Sequence, residues 1–133
     1  MRMVAVIIRD KAGRYLMERR SADAAWMPGF WEFPIWQVGK LPNGNIKSQS
    51  KMSDDLELGR SLGRFRHSIT RFRMVVDVRE ALPGNGRSLP REGDSWRWET
   101  AGGIADLPAT TITRKALRLL NPISKASSQR TRG

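Results

Sequence analysis

Between residues 63 and 78 the sequence alternates twice. Phe65, His67 and Ile69 fall on one side of the first run, and Arg64, Arg66 and Ser68 on the other. After a tight junction near residues 67–70, Phe72, Met74, Val76 and Val78 share a face opposite Arg71, Arg73, Val75 and Asp77. Strand side chains point to alternate faces, so two successive runs of period two demand two neighbouring strands, each with one face on a core. A chain carrying such a pair must build a sheet and cover its apolar side.

The remaining segments supply the cover. Residues 4–9 (VAVIIR) form an apolar run rich in β-branched side chains, and a turn at residues 10–13 leads to a strand over residues 14–18, which together predict a hairpin. Trp31-Glu32-Phe33-Pro34 reads as a further, Pro-terminated strand after a Trp-Met-Pro-Gly loop. Residues 37–49 are rich in Gly, Pro, Asn and Ser and predict a flexible connection. Around Met52 the period changes to helical: Met52, Leu56 and Gly59 share a face, Ser53 is placed to cap, and Asp54, Asp55 and Glu57 put negative charge at the positive end of the dipole. This predicts a short helix ended at Gly59 or Gly63. A Pro/Gly/Arg loop over residues 82–92, a short strand at residues 95–99 and a connection at residues 101–108 follow. Residues 110–120 place Ile112, Ala116, Leu119 and Leu120 on one stripe, an amphipathic helix stopped by Asn121-Pro122. The five tryptophans are expected mostly in the core. The order of elements predicts an α+β sandwich with a mixed sheet, one domain over residues 1–123, and a basic, disordered tail over residues 124–133.

Composition narrows the function classes. Without cysteine there are no disulfides, thiolate metal sites, iron-sulfur clusters or cysteine nucleophiles, and a single histidine argues against zinc. Met1-Arg2-Met3 leads straight into a strand-like run, with no signal pattern and no span-length apolar segment, so a cytoplasmic location away from membranes is expected. A formal net charge of +11 on 133 residues favours a polyanion through counterion release. That charge is concentrated: residues 60–73 (RSLGRFRHSITRFR) hold five arginines and no acid. Arginine forks and hydroxyls at a strand junction are suited to phosphate and base edges, while Phe65 and Phe72 alternate as core residues do. Arg114, Lys115 and Arg118 on the last helix, with Lys125, Arg130 and Arg132 in the tail, offer a second basic surface.

The strand Leu16-x-Glu18-Arg19-Arg20 followed by Trp31-Glu32-Phe33-Pro34, then Arg66-His67-Ser68, Trp96-Arg97-Trp98 and Leu107-Pro108-Ala109 before a basic helix, resembles the Nudix-like C-terminal domain of A/G-specific adenine DNA glycosylases, the MutY family. The resemblance covers most of residues 3–120. It implies a Nudix-like α/β/α sandwich and a role in base excision repair, nucleoid-associated, with duplex DNA containing 8-oxoguanine as partner and a glycosylase catalytic domain in the same or a partner chain. In that family the junction carries Arg-His-Thr and then Phe-Ser-His, a loop that recognises 8-oxoguanine. Here Arg66 and His67 match, Ser68 stands for the Thr, and Ile69, Thr70 and Arg71 stand for Phe, Ser and His. The resemblance thus implies a nucleic-acid-binding set of Arg64, Arg66, His67, Ser68, Ile69, Thr70, Arg71 and Arg73, with the arginines on the backbone and Thr70 on the lesion. Ile69 retains an apolar wedge without a π-face, and Arg71 replaces a neutral ring by a fixed cation. By alternation His67 is expected to be a partly buried, satisfied histidine.

The chemistry of a working Nudix hydrolase is not matched. That family resembles a metal enzyme with Gly-Gly after the Pro and with Arg-Glu and Glu-Glu pairs holding magnesium; this chain has Ile35-Trp36 and then MSDDLELG at residues 52–59. No catalytic residue, metal ligand or cofactor is therefore expected. The alternative is a Nudix pyrophosphohydrolase acting on oxidised nucleoside triphosphates, with Asp54 and Glu57 as its support. Glu18 and Glu32 are expected to be strand residues paired with nearby arginines.

Overall fold

The computed structural model describes residues 2–38, 46–48, 57–82 and 90–120. Eight strands and two helices are assigned among them: β1 (Arg2–Ile7), β2 (Tyr15–Arg19), β3 (Trp31–Glu32), β4 (Ile35–Val38), β5 (Ile46–Ser48), β6 (Glu57–Ile69), β7 (Phe72–Leu82), β8 (Trp96–Glu99), α1 (Ala101–Ala105) and α2 (Thr111–Leu120). One sheet has the order β5-β4-β1-β7-β6 and the other β3-β2-β8. In the larger sheet β1 runs parallel to β7 and antiparallel to β4, so the sheet is mixed, as the element order predicts. The central place of β1 explains its sequence. Met3, Ala5 and Ile7 face one apolar cluster while Val4, Val6 and Ile8 face another, and a strand buried on both sides reads as a continuous apolar run.

The larger core lies on the Met3/Ala5/Ile7 face. It brings Met74, Val76 and Val78 of β7 against Tyr15 and Met17 of β2 and Ile104, Ala109 and Ala116 near the two helices. A chain of buried polar groups locks α2 in place. Thr110 accepts the backbone N–H of Thr113 in the manner of a helix cap, its hydroxyl donates to Thr113 Oγ1, and Thr113 Oγ1 also accepts the Phe33 N–H at 3.1 Å. The start of α2 is thereby tied to the segment leaving β3.

Three expectations change. The 10–13 turn forms, with Asp10 accepting from the Ala12 and Arg14 backbone amides, but the strands on either side of it part company. They keep only the Arg9–Tyr15 bridge before entering different sheets. Local pattern specifies a turn; the mutual burial of two sheets decides that the arms diverge. The helix expected to reach Gly59 does not, because Glu57 already begins β6; residues 49–56, including Asp54 and Asp55, lie outside the described residues. The 101–108 connection contains a short helix, capped by Thr100 Oγ1 accepting the Gly103 N–H. The predicted tail, with Lys125, Arg130 and Arg132, also lies outside the described residues.

β6 and β7 form the hairpin that the double alternation predicts. Pairing runs from Glu57–Leu82 to Ile69–Phe72, so the connection is only Thr70-Arg71. The register of β6 against β7 is irregular between Leu58 and Gly63. Gly63 has φ +152°, and a Cβ there would stand 3.1 Å from Leu119 Cδ1, so glycine is favoured where strand and helix approach.

Candidate nucleic-acid interface

The β6–β7 hairpin has two faces and a ridge. Alternation puts Arg64, Arg66 and Ser68 of β6 beside Arg73, Val75 and Asp77 of β7 on the outward face, through the pairs Arg64–Asp77, Arg66–Val75 and Ser68–Arg73. Arg64 reaches Asp77 at 3.6 Å, and Asp77 also meets Arg79 at 3.4 Å and accepts from Ser61 Oγ. One carboxylate thus serves the lower part of this face. Arg66 and Arg71, both exposed, make no ion pair with a described residue. Exposed arginines on one hairpin are groups suited to phosphate.

Thr70 occupies the ridge with φ +50°, a conformation that is a genuine outlier for a β-branched residue. Its hydroxyl donates to the Ile69 carbonyl at 2.7 Å. With the hydrogen so used, Oγ1 presents acceptor lone pairs outward.

The inward face borders a cavity of about 480 Å³. Met3, Ile35 and Met74 form its apolar floor; residues 25–27, residues 67–69 and residues 110–112 close three sides. Its polar wall is Arg20 and Glu32. Arg20 Nη1 donates to both Glu32 oxygens, at 3.2 and 3.1 Å, and Arg20 Nε donates to the Trp26 carbonyl at 2.8 Å. Burial pushes the Glu32 carboxyl up to about 7, against the pull of the Arg20 guanidinium; the Glu18 carboxylate, opposite Glu32 in the sheet register, pushes the same way as burial. The arginine partnership expected of Glu32 is therefore present, but it is buried and sits in a cavity wall. Sequence reasoning missed that role. Arg20 and Glu32 stand twelve positions apart across the Trp-Met-Pro-Gly loop, and no local pattern joins them.

The residues selected from the sequence are thus distributed over two faces. Arg64, Arg66 and Arg73 line the outward face, Thr70 and Arg71 form the ridge, His67 and Ile69 border the cavity, and Ser68, outward by alternation, also touches the cavity's edge. His67 is half-buried, and Lys115 Nζ lies 2.9 Å from its Nδ1. An ammonium can only donate, so Nδ1 accepts and the ring is neutral; burial and the Lys115 charge both hold its pKa below the usual histidine value. The last helix contributes less cation than expected. Lys115 is engaged by His67 and the Phe65 ring, and Arg114 donates to the Ala105 and Leu107 carbonyls, leaving Arg118 exposed on that helix. Two aromatic expectations also change. Phe72 is 45 % exposed and Trp26 38 % exposed, whereas Phe65, Trp96 and Trp98 are half-buried and Trp31 and Trp36 buried. Phe72 shares the parity of Met74 but lies beyond the edge of the core, at the end of the hairpin.

A magnesium site of the Nudix type needs several convergent carboxylates. Among the described residues no group of three His, Cys, Asp or Glu side chains is placed to hold a metal. Glu18 and Glu32 provide two buried carboxyls, Glu32 being bound by Arg20, and two such groups do not make up that ligand set. No helix of the described residues is long and apolar enough to cross a membrane.

Comparison with known proteins agrees with this architecture. The family model described as NUDIX domain matches residues 3–119. No curated protein matches the chain. Among solved structures, the MutT protein from Methanosarcina mazei Go1 is similar at a TM-score of 0.69 with 17 % identity, covering 94 % of this chain and 95 % of that one. The MutT NUDIX hydrolase from Burkholderia pseudomallei is similar at 0.64 with 21 % identity, over 90 % and 97 %. The C-terminal domain of mouse MUTYH, solved in complex with human PCNA, is similar at 0.61 with 16 % identity, over 93 % and 89 %. At these identities the likeness is one of fold.

Proposed function

This chain belongs to the NUDIX domain family, and from that premise we propose that it is a non-hydrolytic member that recognises 8-oxoguanine opposite adenine in duplex DNA, working with an adenine glycosylase catalytic domain in the same or a partner chain. The observation that carries the reading is the Thr70-Arg71 ridge. Guanine presents a bare N7 acceptor in the major groove; oxidation at C8 gives N7 a hydrogen and makes it a donor. Thr70 Oγ1, with its own hydrogen given to the Ile69 carbonyl, offers the acceptor that the oxidised base needs and that the normal base repels. Arg66, Arg71 and the outward arginines supply phosphate contacts that place the ridge without reading sequence.

Thr70→Ala tests this assignment. The variant is expected to lose about 5- to 20-fold on the lesion duplex, the worth of one hydrogen bond to a base, with little change on the unmodified duplex. Equal loss on both would remove Thr70 from lesion readout.

The second reading, hydrolysis of an oxidised nucleoside triphosphate, is favoured by one feature: the 480 Å³ cavity with Arg20 and Glu32 in its wall is of a size suited to small ligands. The solved structures of MutT proteins share the fold equally well. Magnesium-dependent turnover over a nucleotide panel, abolished by Asp54→Asn with Glu57→Gln, would establish that reading in place of the first.

A further inference from the structure

The large exposed hydrophobic side chains of the described residues are Trp26, Phe72 and Val75, and two of them touch. Trp26 and Phe72 meet edge to face, with ring centroids 5.6 Å apart and planes at 67°. One ring comes from the loop between β2 and β3 and the other from the first residue of β7, 46 positions later. An aromatic pair made solely for stability belongs in the core, where burial of each ring is worth most. This pair instead forms the outer rim beside the cavity that Trp26 borders.

The backbone near both rings takes an uncommon conformation. Among the described residues the non-glycine positions with φ in the left-handed region are Met27, at +45°, and Thr70, at +50°. Met27 adjoins Trp26, and Thr70 stands two residues before Phe72. Such conformations persist where surrounding structure holds them, and they concentrate where ligands are gripped. The Trp26 loop is held from within by Arg20, which donates to the Trp26 carbonyl and to Glu32. The electrostatic setting selects the ligand's charge. Arg71 adjoins Phe72, Arg66 lies on the same hairpin, and residues 60–73 contain no acid; the nearby Asp23 on the Trp26 loop accepts from Ser21 Oγ.

We propose that Trp26 and Phe72 form a stacking site for an unpaired nucleobase of single-stranded or locally unstacked DNA, with Arg71 on the adjoining phosphate. A planar base lies against the free ring face while the cation holds its backbone, a combination that tolerates any base because every base has a π-face. The inference deepens the DNA-binding reading and rests on it, but it is independent of lesion selectivity.

The test compares three probes on the whole chain: an oligothymidylate of about eight nucleotides, an abasic strand of equal length and charge, and an unmodified, fully paired duplex. The wild-type protein is expected to hold the oligothymidylate at least about fivefold tighter than the abasic strand. Phe72→Ala is expected to cut oligothymidylate affinity by about 5- to 100-fold, leave the abasic strand and duplex within about twofold, and be rescued by Phe72→Tyr. Trp26→Leu should give the same pattern, which guards against a local distortion from the first variant. Equal loss on all three probes, or a wild type that binds abasic and base-bearing strands alike, would overturn the proposal. Preference for an 8-oxoguanine duplex retained in that second case would leave the lesion reading standing and this one fallen.

Discussion

The two faces of the β6–β7 hairpin hold charge in opposite ways. Outward, Arg64, Arg66 and Arg73 are exposed on a face where Asp77 is the neighbouring acid. Across the cavity that the inward face borders, Arg20 after β2 and Glu32 of β3 form a partly buried pair whose acid carries a raised pKa. Exposed cations interact weakly with the fold, whereas a buried pair carries a desolvation cost that makes it sensitive to pH. The contrast sets the exposed, arginine-bearing face of the hairpin against a neighbouring cavity wall, supplied by Arg20 and Glu32, that responds to pH.

The strongest way to break that division is to remove Arg20. Arg20→Ala leaves a carboxylate buried without its partner and frees the Trp26 carbonyl, and is expected to cost about 3–5 kcal/mol at pH 8 in urea unfolding. At pH 5 the loss should be smaller, because Glu32 is then protonated. An equal loss at both pH values would place Glu32 outside the energetics of the wall.

The wild-type protein tests the same wall by linkage. Glu32 has a folded pKa of about 7 against an ordinary value of 4.5, so the folded state binds more protons than the unfolded state between those values. Its contribution is therefore fully present below about pH 4.5 and is lost as pH rises through about 7, by an amount on the order of 3 kcal/mol. Glu32→Gln should flatten the stability profile over this interval; a variant whose profile keeps the wild-type slope would contradict the assignment.

Gly63→Ala sharpens the comparison by disturbing the hairpin without touching either charge set. A Cβ at φ +152°, against Leu119, is expected to cost about 1–2 kcal/mol, read as a lowered urea midpoint with an unchanged slope. On the outward face, Arg66→Ala should leave stability within about 0.5 kcal/mol while reducing the slope of log affinity for duplex DNA against log salt by about 0.9. The smallest effect belongs to Lys115→Met, which removes the ammonium beside His67 Nδ1 and should raise the His67 pKa in an NMR titration; an unchanged pKa would mean that the contact has no electrostatic weight.

Legibility from sequence followed the range of the interactions. The hairpin was readable because alternation in residues 63–78 is local and its register is fixed by a two-residue turn. Central β1 was readable as a strand, but its separation from β2 was not, since only the packing of two sheets decides it. The helix expected at Met52 was misplaced at its end: helical spacing in residues 52–59 competes with the β pairing of Glu57 and Leu58 to Leu82 and Ala81, which lie more than twenty positions away. In the candidate site, the exposed arginines and Thr70 were readable from the segment's composition and the family resemblance. The Arg20–Glu32 wall and the Trp26–Phe72 pair join distant positions, and no local period reports them.

The most direct measurement of the central claim is a competition experiment on the wild-type chain at fixed salt, with a labelled duplex carrying 8-oxoguanine opposite adenine challenged by the same duplex unlabelled and by its undamaged counterpart. The account predicts that the undamaged duplex competes at least about tenfold less well, a difference of roughly 1.4 kcal/mol. Identical competition by both duplexes would show that the Thr70-Arg71 ridge reads charge alone and would contradict it.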